Sequence, residues 1–257
     1  MKARPGVELG NLTDIGCHRS ENEDYYCYAE SQADDEFIRK GRLIVIADGM
    51  GGHPGSQMAS RIAVESVRAT YLASDAGAPE TALVEGLQAA HLAIRDFVRE
   101  HRQFEGMGTT CIAAALRGSE LTYVHVGDSR LYLVRNETIV QLTRDQTVVN
   151  RLFERGLITA QELENHPNRG VLTTALGVGD TVAAEVPEIP IALEPADILL
   201  MCTDGLHDLV KDGEMAAIVS HSSPPSACHA LIELAKSRGG FDNITVQILK
   251  FEGLDTL

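Results

Sequence analysis

Hydrophobic positions along the chain follow two periods, one typical of strands and one typical of helices. Nine short runs rich in β-branched and aromatic residues predict strands: VELGNL, YYCYA, LIVIA, TTCIAAAL, LTYVHV, RLYLVR, TIVQL, DILLMC and NITVQIL. Between residues 116 and 143, turn pairs at Gly118-Ser119, Gly127-Asp128 and Asn136-Glu137 separate successive runs. This spacing predicts an antiparallel meander in that part of the chain.

Three blocks with helical periodicity interrupt the strands. The apolar and small residues that share a face are Ala59, Ile62, Ala63, Ser66, Val67 and Tyr71 after Pro54, and Leu83, Leu87, His91, Ile94 and Val98 after Pro79. The third block, PPSACHALIELAKSRGG, begins on prolines and ends on two glycines, which are helix start and stop signals. Strand blocks followed by helix pairs favour antiparallel sheets with helices packed outside over a parallel βαβ arrangement.

Length and charge narrow the class of protein. A chain of 257 residues, 44% of them hydrophobic, predicts one domain over residues 1–257 with a sizeable core. The formal charge of -15 repels nucleic acid and anionic lipid, so we expect neither a nucleic acid nor a membrane as partner. The same charge leaves many carboxylates available for divalent cations.

The cysteines and the N-terminus indicate a compartment. Five scattered cysteines without a C-x-x-C pair argue against a disulfide framework and a zinc knuckle, and they favour a reducing environment. The N-terminal stretch MKARPGVELG has no apolar core, and the longest apolar runs are about six residues, far short of a membrane span. The sequence therefore predicts a cytoplasmic protein, which we expect to be a monomer.

The stretch LIVIADGMGGHPG, residues 43–55, places an aspartate and four glycines after an apolar run. A dinucleotide-binding G-x-G-x-x-G beginning at Gly49 needs a glycine where Pro54 stands. No Gly-Lys-Ser/Thr follows to form a phosphate loop. Both nucleotide interpretations fail on spacing.

Acidic residues stand at the ends of several predicted strands. Three of them follow a strand and three precede one: Asp48, Asp128 and Asp204 follow, and Glu23, Asp24 and Asp242 precede. In antiparallel pairs the C-terminal end of one strand lies beside the N-terminal end of its neighbour. These acids can therefore gather on one rim of the sheets.

Such a rim favours a site for hard cations. Clustered carboxylates repel one another and need cations to remain ionised. Oxygen ligands without clustered Cys or His favour Mg²⁺ or Mn²⁺. The pairs Asp48-Gly49 and Asp204-Gly205 suit this chemistry because glycine lets the backbone approach an ion closely, although each pair by itself is more typical of a plain turn.

Arg19 lies in the stretch RSENED, three residues before Asn22 and beside the acidic rim. A guanidinium in that place can bind a phosphate through two parallel hydrogen bonds. Taken alone, it is more typical of a surface salt bridge.

Eight motifs resemble, in the same order, those of the metal-dependent protein serine/threonine phosphatases, the type-2C or PPM class, in its bacterial form. They are RSENED, VIADGMGGH, MGTT, VGDSRLY, LTRDQT, LTTALG, CTDGLHD and DNITV. They cover nearly the whole chain. The resemblance implies an α+β fold, a four-layer αββα sandwich in which two antiparallel β-sheets pack face to face with antiparallel helices on both outer sides.

The resemblance also implies two Mn²⁺ or Mg²⁺ ions per site and a weaker third ion. The ligand set that it implies is Asp48 bridging both ions, Asp204 and Asp242 on the first, Glu23 and the Gly49 carbonyl on the second, and Asp128 with Asp204 on the third. Arg19 would hold the substrate phosphate. A metal-bridging water or hydroxide would then attack the phosphoryl group of phosphoserine or phosphothreonine without a covalent phosphoenzyme.

The partners implied by the resemblance are phosphorylated proteins. They include a bacterial serine/threonine kinase whose signalling the enzyme would reverse, a client with a forkhead-associated domain, and a secretion or cell-wall regulator. The segment at about 144–180 corresponds to the family's variable flap, where we expect protein substrates to be discriminated.

One position departs from the pattern of the animal members, which carry a histidine proposed as general acid at the third position of Asp-Gly-x-Gly-Gly. Here that position is Met50, whose thioether cannot donate a proton. His53 is the candidate donor, and water on a third ion competes with it. His53 is equally compatible with simple packing in the loop before Pro54.

Two other classes of protein compete with this interpretation. The segment from Cys111 to Arg117 matches the C-x5-R spacing of a cysteine phosphatase, but its apolar sequence predicts a buried strand. An inactive relative that only binds phosphoproteins is disfavoured because all the metal-type acids are present. The residues expected in the core rather than at substrate are His91, His125, Met107, Thr109 and Thr110.

Overall fold

The computed structural model of the chain describes residues 3–51 and 55–253. In the described residues the strands are β1 (Val7–Asp14), β2 (Asp24–Glu30), β3 (Arg42–Asp48), β4 (Cys111–Arg117), β5 (Glu120–Val126), β6 (Arg130–Arg135), β7 (Thr138–Gln141), β8 (Ile191–Ala192), β9 (Ile198–Cys202) and β10 (Ile244–Phe251). They form two sheets in which neighbouring strands are antiparallel. The first sheet has the order β1-β10-β9-β6-β7, and the second has the order β2-β3-β4-β5-β8.

Eight α-helices accompany these strands in the same ranges. They are α1 (Asp34–Lys40), α2 (Ser56–Ala73), α3 (Pro79–Glu100), α4 (Val148–Glu154), α5 (Ala160–Glu164), α6 (Asp204–His207), α7 (Asp212–His221) and α8 (Pro224–Ser237). The three predicted helical blocks correspond to α2, α3 and α8. A 3-10 turn, Arg102–Phe104, follows α3.

Strand β3 shows how the apolar pattern produces four layers. Leu43 and Val45 pack against α2 and α3, whereas Ile44 and Ile46 pack against the first sheet. Both faces of β3 are therefore buried, which explains why LIVIA is apolar throughout instead of alternating. The other outer layer forms where α7 and α8 cover the first sheet. The predicted αββα sandwich is confirmed.

The predicted meander between residues 116 and 143 is wrong at its centre. β5 belongs to the second sheet, but β6 pairs with β7 and β9 in the first. The chain changes sheets at Gly127, whose φ of 104° suits glycine. A Cβ atom there would lie 2.6 Å from Cγ2 of Thr110. The turn signal was correct, but a turn pair does not specify which sheet receives the next strand.

The remaining differences concern short or charged elements. The sequence did not indicate α1, α4, α5, α6, α7 or the two-residue strand β8, because their apolar periods are too short to register. Cys111 lies in β4 and is fully buried, so the C-x5-R spacing is part of a core strand. His91 and His125 are buried as expected, 3% and 0% exposed.

None of the helices that the structure describes has the length and apolar character needed to cross a membrane.

Candidate metal and phosphate site

Several predicted site residues meet in one pocket at the edge of the sandwich. The pocket has a volume of about 240 Å³, and its lining includes Arg19, Asp48, Gly49, Met50, Asp128, Asp204 and Asp242. Glu23 lies beside it, with Oε2 at 3.6 Å from Nη1 of Arg19. His53 lies outside the described residues. The grouping of acids from separate strands on one rim is therefore as expected.

The backbone of Asp48 is held by two threonines of the MGTT motif. The amide of Thr110 donates to the Asp48 carbonyl at 2.9 Å, and the Thr110 hydroxyl accepts from the Asp48 amide at 3.0 Å. The hydroxyl of Thr109 donates to the same carbonyl at 2.7 Å. Thr110 also contacts the Ser129 hydroxyl at 2.8 Å, next to Asp128. Both threonines are buried as predicted, but they position the site instead of only filling the core.

Asp24 ties the two sheets together beneath the pocket. It stands directly opposite Asp48 in the β2–β3 ladder. Its Oδ2 accepts hydrogen bonds from the hydroxyls of Thr203 at 2.9 Å and Thr245 at 2.6 Å, which flank β9 and belong to β10 respectively. The sequence showed Asp24 as one acid of the rim, but it gave no sign of this crosslink between sheets.

Asn243 clamps the loop that carries Glu23. Its Oδ1 accepts from the Glu23 amide at 2.8 Å, and its Nδ2 donates to the carbonyls of Ile15 and Glu21 at 3.0 and 2.9 Å. Asn243 is 2% exposed and follows Asp242 directly. The DNITV motif therefore supplies an acid and, in the next residue, the group that fixes the loop opposite.

The glycines of the two Asp-Gly pairs make room for neighbouring backbone. A Cβ atom on Gly49 would lie 2.4 Å from the Ser56 carbonyl oxygen, and one on Gly205 would lie 2.0 Å from that of Asn243. Neither pair forms a plain turn: Gly49 bridges to Thr109, and Asp204 begins α6. A Cβ on Gly51 would lie 2.8 Å from Nη1 of Arg19, so that glycine leaves room for the guanidinium.

The electrostatics of the rim favour a cation. Burial raises the pKa of Asp48 and of Asp204 well above the ordinary value, and neighbouring carboxylates raise both further. Burial also raises the pKa of Asp128 and of Asp24 to about 7. A buried carboxylate resists ionisation until an opposite charge compensates it. A cation bound here would therefore gain from several acids at once.

A buried oxygen of Asp204 supports the same conclusion. Among the described residues, Oδ1 of Asp204 is buried without a hydrogen-bond partner, although buried acceptors are normally satisfied. Across residues 3–51 and 55–253, no three acidic, imidazole or thiol side chains are grouped as a metal-binding cluster in this arrangement. The oxygen donors fit a hard ion in chemical type, and binding requires the carboxylates to close around it.

Arg19 supplies positive charge to the same rim. Its Nη2 donates to Oδ2 of Asp242 at 2.6 Å, and its side chain is 34% exposed. Burial alone lowers the pKa of Arg19, but the hydrogen bond and the charge of Asp242 raise it above the ordinary value. Arg19 therefore forms the expected salt bridge, and it also borders the pocket.

A larger cavity of about 520 Å³ adjoins the pocket beneath the segment 144–180. Asp128, Gly170 and Asp204 line both spaces. Nη2 of Arg169 lies 2.8 Å from Oδ2 of Asp208, an ion pair that tethers this segment to the core. The segment thus borders the pocket, as the expected flap would.

His207 is the site residue that sequence reasoning missed. Its side chain is 4% exposed, and its Nε2 lies 3.1 Å from the Asp128 carbonyl. Its buried Nδ1 lies 3.7 Å from Oδ1 of Asp208 and has no hydrogen-bond partner among the described residues. Burial, together with the charge of Arg130, lowers the pKa of His207 to about 3, so the ring is neutral. Its position in CTDGLHD, between two aspartates, was the available signal.

Comparisons with known proteins agree with this geometry. A family profile described as protein phosphatase 2C matches residues 28–228. The protein phosphatase PhpP of Streptococcus pneumoniae is 32% identical over 255 residues, covering 97% of this chain and 99% of its own length.

Solved structures of serine/threonine phosphatases also resemble this chain. The serine/threonine phosphatase PstP/Ppp of Mycobacterium tuberculosis superposes with a TM-score of 0.82 at 32% identity, over 96% of this chain and 99% of its own. The catalytic domain of the serine/threonine protein phosphatase PstP, in complex with two manganese ions, has a TM-score of 0.79 at 30% identity, over 95% and 97% of the two chains.

Proposed function

The chain belongs to the protein phosphatase 2C family and is a serine/threonine protein phosphatase, and from this premise we propose how its site works. We propose that the carboxylates of the rim hold two Mn²⁺ or Mg²⁺ ions, with which the enzyme hydrolyses phosphoserine and phosphothreonine in proteins. The observation that carries the proposal is the pocket in which Asp48, Asp204 and Asp242 meet Arg19.

Each acid has a proposed place. Asp48 would serve both ions because its carboxylate interacts with the charges of several neighbouring acids. Asp204 and Asp242 would bind the first ion. Glu23 and the Gly49 carbonyl would serve the second, partly through water. Asp128 would share a weaker third ion with Asp204. The unpaired Oδ1 of Asp204 and the raised pKa of the buried acids support these assignments.

The chemistry divides between the ions and the chain. When bound, the ions supply an activated water and stabilise charge on the phosphoryl oxygens. Arg19 would turn from Asp242 to the phosphate and orient it by paired hydrogen bonds. Thr109, Thr110 and Asn243 would keep the acids in place, since their hydrogen bonds fix the backbone on both sides of the pocket.

The proton for the leaving group needs a donor other than Met50, which lines the pocket with a thioether. We propose two candidates, His53 and water on the third ion. His53→Gln separates them: a fall in kcat for phosphopeptides, with little change for the better leaving group of p-nitrophenyl phosphate, identifies the imidazole as the acid. Equal effects on both substrates favour the water.

We further propose a cytoplasmic monomer formed by a single domain, in which the segment 144–180 discriminates protein substrates. The five free cysteines support a reducing compartment. A bacterial serine/threonine kinase, its clients and a forkhead-associated-domain protein are the proposed physiological substrates. The phosphoproteome of a deletion strain would identify them.

The assay that tests this function measures turnover of p-nitrophenyl phosphate and of phosphopeptides with Mn²⁺ and with chelator. We expect Mn²⁺-dependent turnover that Asp48→Asn abolishes, and calorimetry should show that this variant binds Mn²⁺ more weakly. Asp75→Asn is the matched control, because that side chain is 94% exposed. Full activity of Asp48→Asn, or wild-type turnover in chelator, would contradict the proposal.

The competing mechanisms predict different results in the same assay. A cysteine phosphatase would lose activity on thiol alkylation, yet Cys111 is buried and burial raises the pKa of its thiol. An inactive binding protein would retain phosphopeptides without turning them over. Neither outcome is expected.

A further inference from the structure

His18 and Phe241, the residues directly before Arg19 and Asp242 in sequence, form an aromatic pair. The rings of His18 and Phe241 stack with their centroids 5.2 Å apart and an interplanar angle of 25°. Each ring belongs to the residue that precedes one member of the ion pair in sequence. Neighbouring Cα atoms are about 3.8 Å apart, so the backbone that carries these stacked rings, here named the aromatic pad, continues directly into Arg19 and Asp242.

The aromatic pad exposes apolar surface to solvent. Phe241 is 60% exposed, and Ile15 in the loop before His18 is 38% exposed. Large aromatic side chains gain from being covered, and they contribute strongly to binding when they are. As far as the described residues show, the exposed face of the Phe241 ring is open to a binding partner.

The loops that carry the aromatic pad are fixed to each other. The amide of Cys17 donates to the Gly240 carbonyl at 2.7 Å, and Asn243 Nδ2 donates to the Ile15 carbonyl at 3.0 Å. Gly239 has a φ of 124°, and a Cβ atom there would lie 2.4 Å from two carbons of the Phe241 ring. The ring therefore lies over Gly239 in a defined place, which reduces the entropy that binding would cost.

We propose that the aromatic pad receives an apolar or aromatic side chain next to the phosphorylated residue of the protein substrate. The proposal rests on the proposed function, in which Arg19 holds the phosphate. His18 and Phe241 directly precede Arg19 and Asp242 in sequence, so a substrate whose phosphate reaches Arg19 would place its flanking residues near the backbone that carries the pad. The proposed occupant is thus a segment of the phosphoprotein itself.

The chemistry of the aromatic pad sets its preference. An imidazole stacked on a phenyl ring offers an apolar face, whereas the adjacent rim carries Glu21, Glu23 and Asp242. Acidic residues next to the phosphate would be repelled by that rim, and small polar residues would leave Phe241 uncovered. Leucine, methionine and aromatic side chains are the expected occupants.

The test uses two phosphothreonine peptides that are identical except for the residues flanking the phosphothreonine, which are both leucine or both serine. The measured quantity is the ratio of kcat/KM for the leucine peptide to that for the serine peptide, with Mn²⁺ present. For wild type we expect a ratio of about 3 to 10, carried mainly by KM. Phe241→Ser should bring the ratio close to one, and Phe241→Leu should restore part of it.

Ile189→Ser is the matched control, because Ile189 is 74% exposed and lies outside the pocket and the aromatic pad. That variant should keep the wild-type ratio. Thermal unfolding of each variant checks that a change in the kcat/KM ratio does not result from a loss of folded protein. His18→Ser gives a second, independent change to the aromatic pad.

The outcomes separate this proposal from the proposed function. If p-nitrophenyl phosphate and both peptides resist Mn²⁺-dependent hydrolysis, the proposed function fails and the inference fails with it. If all three are hydrolysed but wild type treats the peptides equally, or Phe241→Ser keeps the wild-type ratio, only the aromatic pad is refuted. A preference for the serine peptide would refute it as well.

Discussion

The guanidinium of Arg19 donates a 2.6 Å hydrogen bond to Oδ2 of Asp242, so the proposed phosphate-binding group and a proposed metal ligand neutralise each other. Gly51 leaves the space in which this arginine lies. Binding of an ion and of a phosphate would both require this pair to separate. The ion pair therefore links the two binding events.

Arg19→Ala is expected to weaken the binding of the phosphorylated substrate but not the binding of the metal. Loss of a charge-assisted hydrogen bond costs about 1.5–3 kcal/mol, which corresponds to a fall in kcat/KM of about 10- to 100-fold. Mn²⁺ affinity should be unchanged or higher, since Asp242 loses a competing partner. Steady-state kinetics and calorimetry measure the two effects separately. Arg95→Ala, which breaks an ion pair with the exposed Asp180, is the control.

A lower Mn²⁺ affinity in Arg19→Ala would contradict this link. Arg19→Lys should recover part of the lost kcat/KM, because an ammonium keeps the charge but not the paired hydrogen bonds.

Asp24→Asn is expected to change how stability depends on pH in chelator. Burial raises the pKa of Asp24 to about 7, whereas an unfolded aspartate has a value of about 3.9. Between these values the folded protein holds a proton that the unfolded chain has released, so the contribution of Asp24 to the free energy of unfolding falls as pH rises. Asparagine does not titrate.

The stability of Asp24→Asn relative to wild type should therefore increase by roughly 3 kcal/mol between about pH 4 and pH 7. Urea unfolding at a series of pH values measures this difference. Asp75→Asn, at a carboxylate that is 94% exposed, is the control for the substitution itself. A difference that stays flat or declines for Asp24→Asn would show that this carboxyl is ionised in the folded protein.

His207→Phe should destabilise the turn that carries Asp128. The variant loses the hydrogen bond from Nε2 to the Asp128 carbonyl, and a buried carbonyl without its partner costs about 1–3 kcal/mol. Chemical denaturation measures the loss. His221→Phe is the control, since its side chain is 68% exposed and such changes are usually within about 0.5 kcal/mol. Equal stabilities of the two variants would contradict a role for His207 in holding Asp128.

Gly205→Ala should damage the site through the backbone of Asn243. The added Cβ would lie 2.0 Å from the Asn243 carbonyl oxygen, and Asn243 fixes the loop of Glu23. We expect a loss of about 1–3 kcal/mol in stability together with weaker Mn²⁺ binding. In Gly213→Ala, in α7, the added Cβ would have no atom within 4 Å, so this variant should stabilise the protein by up to about 1 kcal/mol. Thermal unfolding and calorimetry give both readouts, and a neutral Gly205→Ala would refute the close approach.

The sequence indicated the fold well where apolar periods are long. LIVIA, DILLMC and NITVQIL predicted strands, and the helical blocks after Pro54 and Pro79 predicted α2 and α3. Short helices such as α5 and α6 were not predicted, because four or five residues contain too little of a helical period to recognise. The change of sheet at Gly127 escaped for another reason, since a turn pair reports local backbone conformation and carries no information on distant strands.

What the sequence determined by itself is the inventory of the site: the acids at strand ends, Arg19 beside them, and a family whose motifs occur in order. Residue type and position in a strand are local properties, so they can be recognised along the chain. Only the tertiary structure decided the partners: Asp24 between Thr203 and Thr245, Asn243 on the Glu23 loop, and Phe241 stacked on His18. These contacts join residues about 200 positions apart in sequence, and they exist because packing two sheets face to face brings the ends of distant strands to one edge.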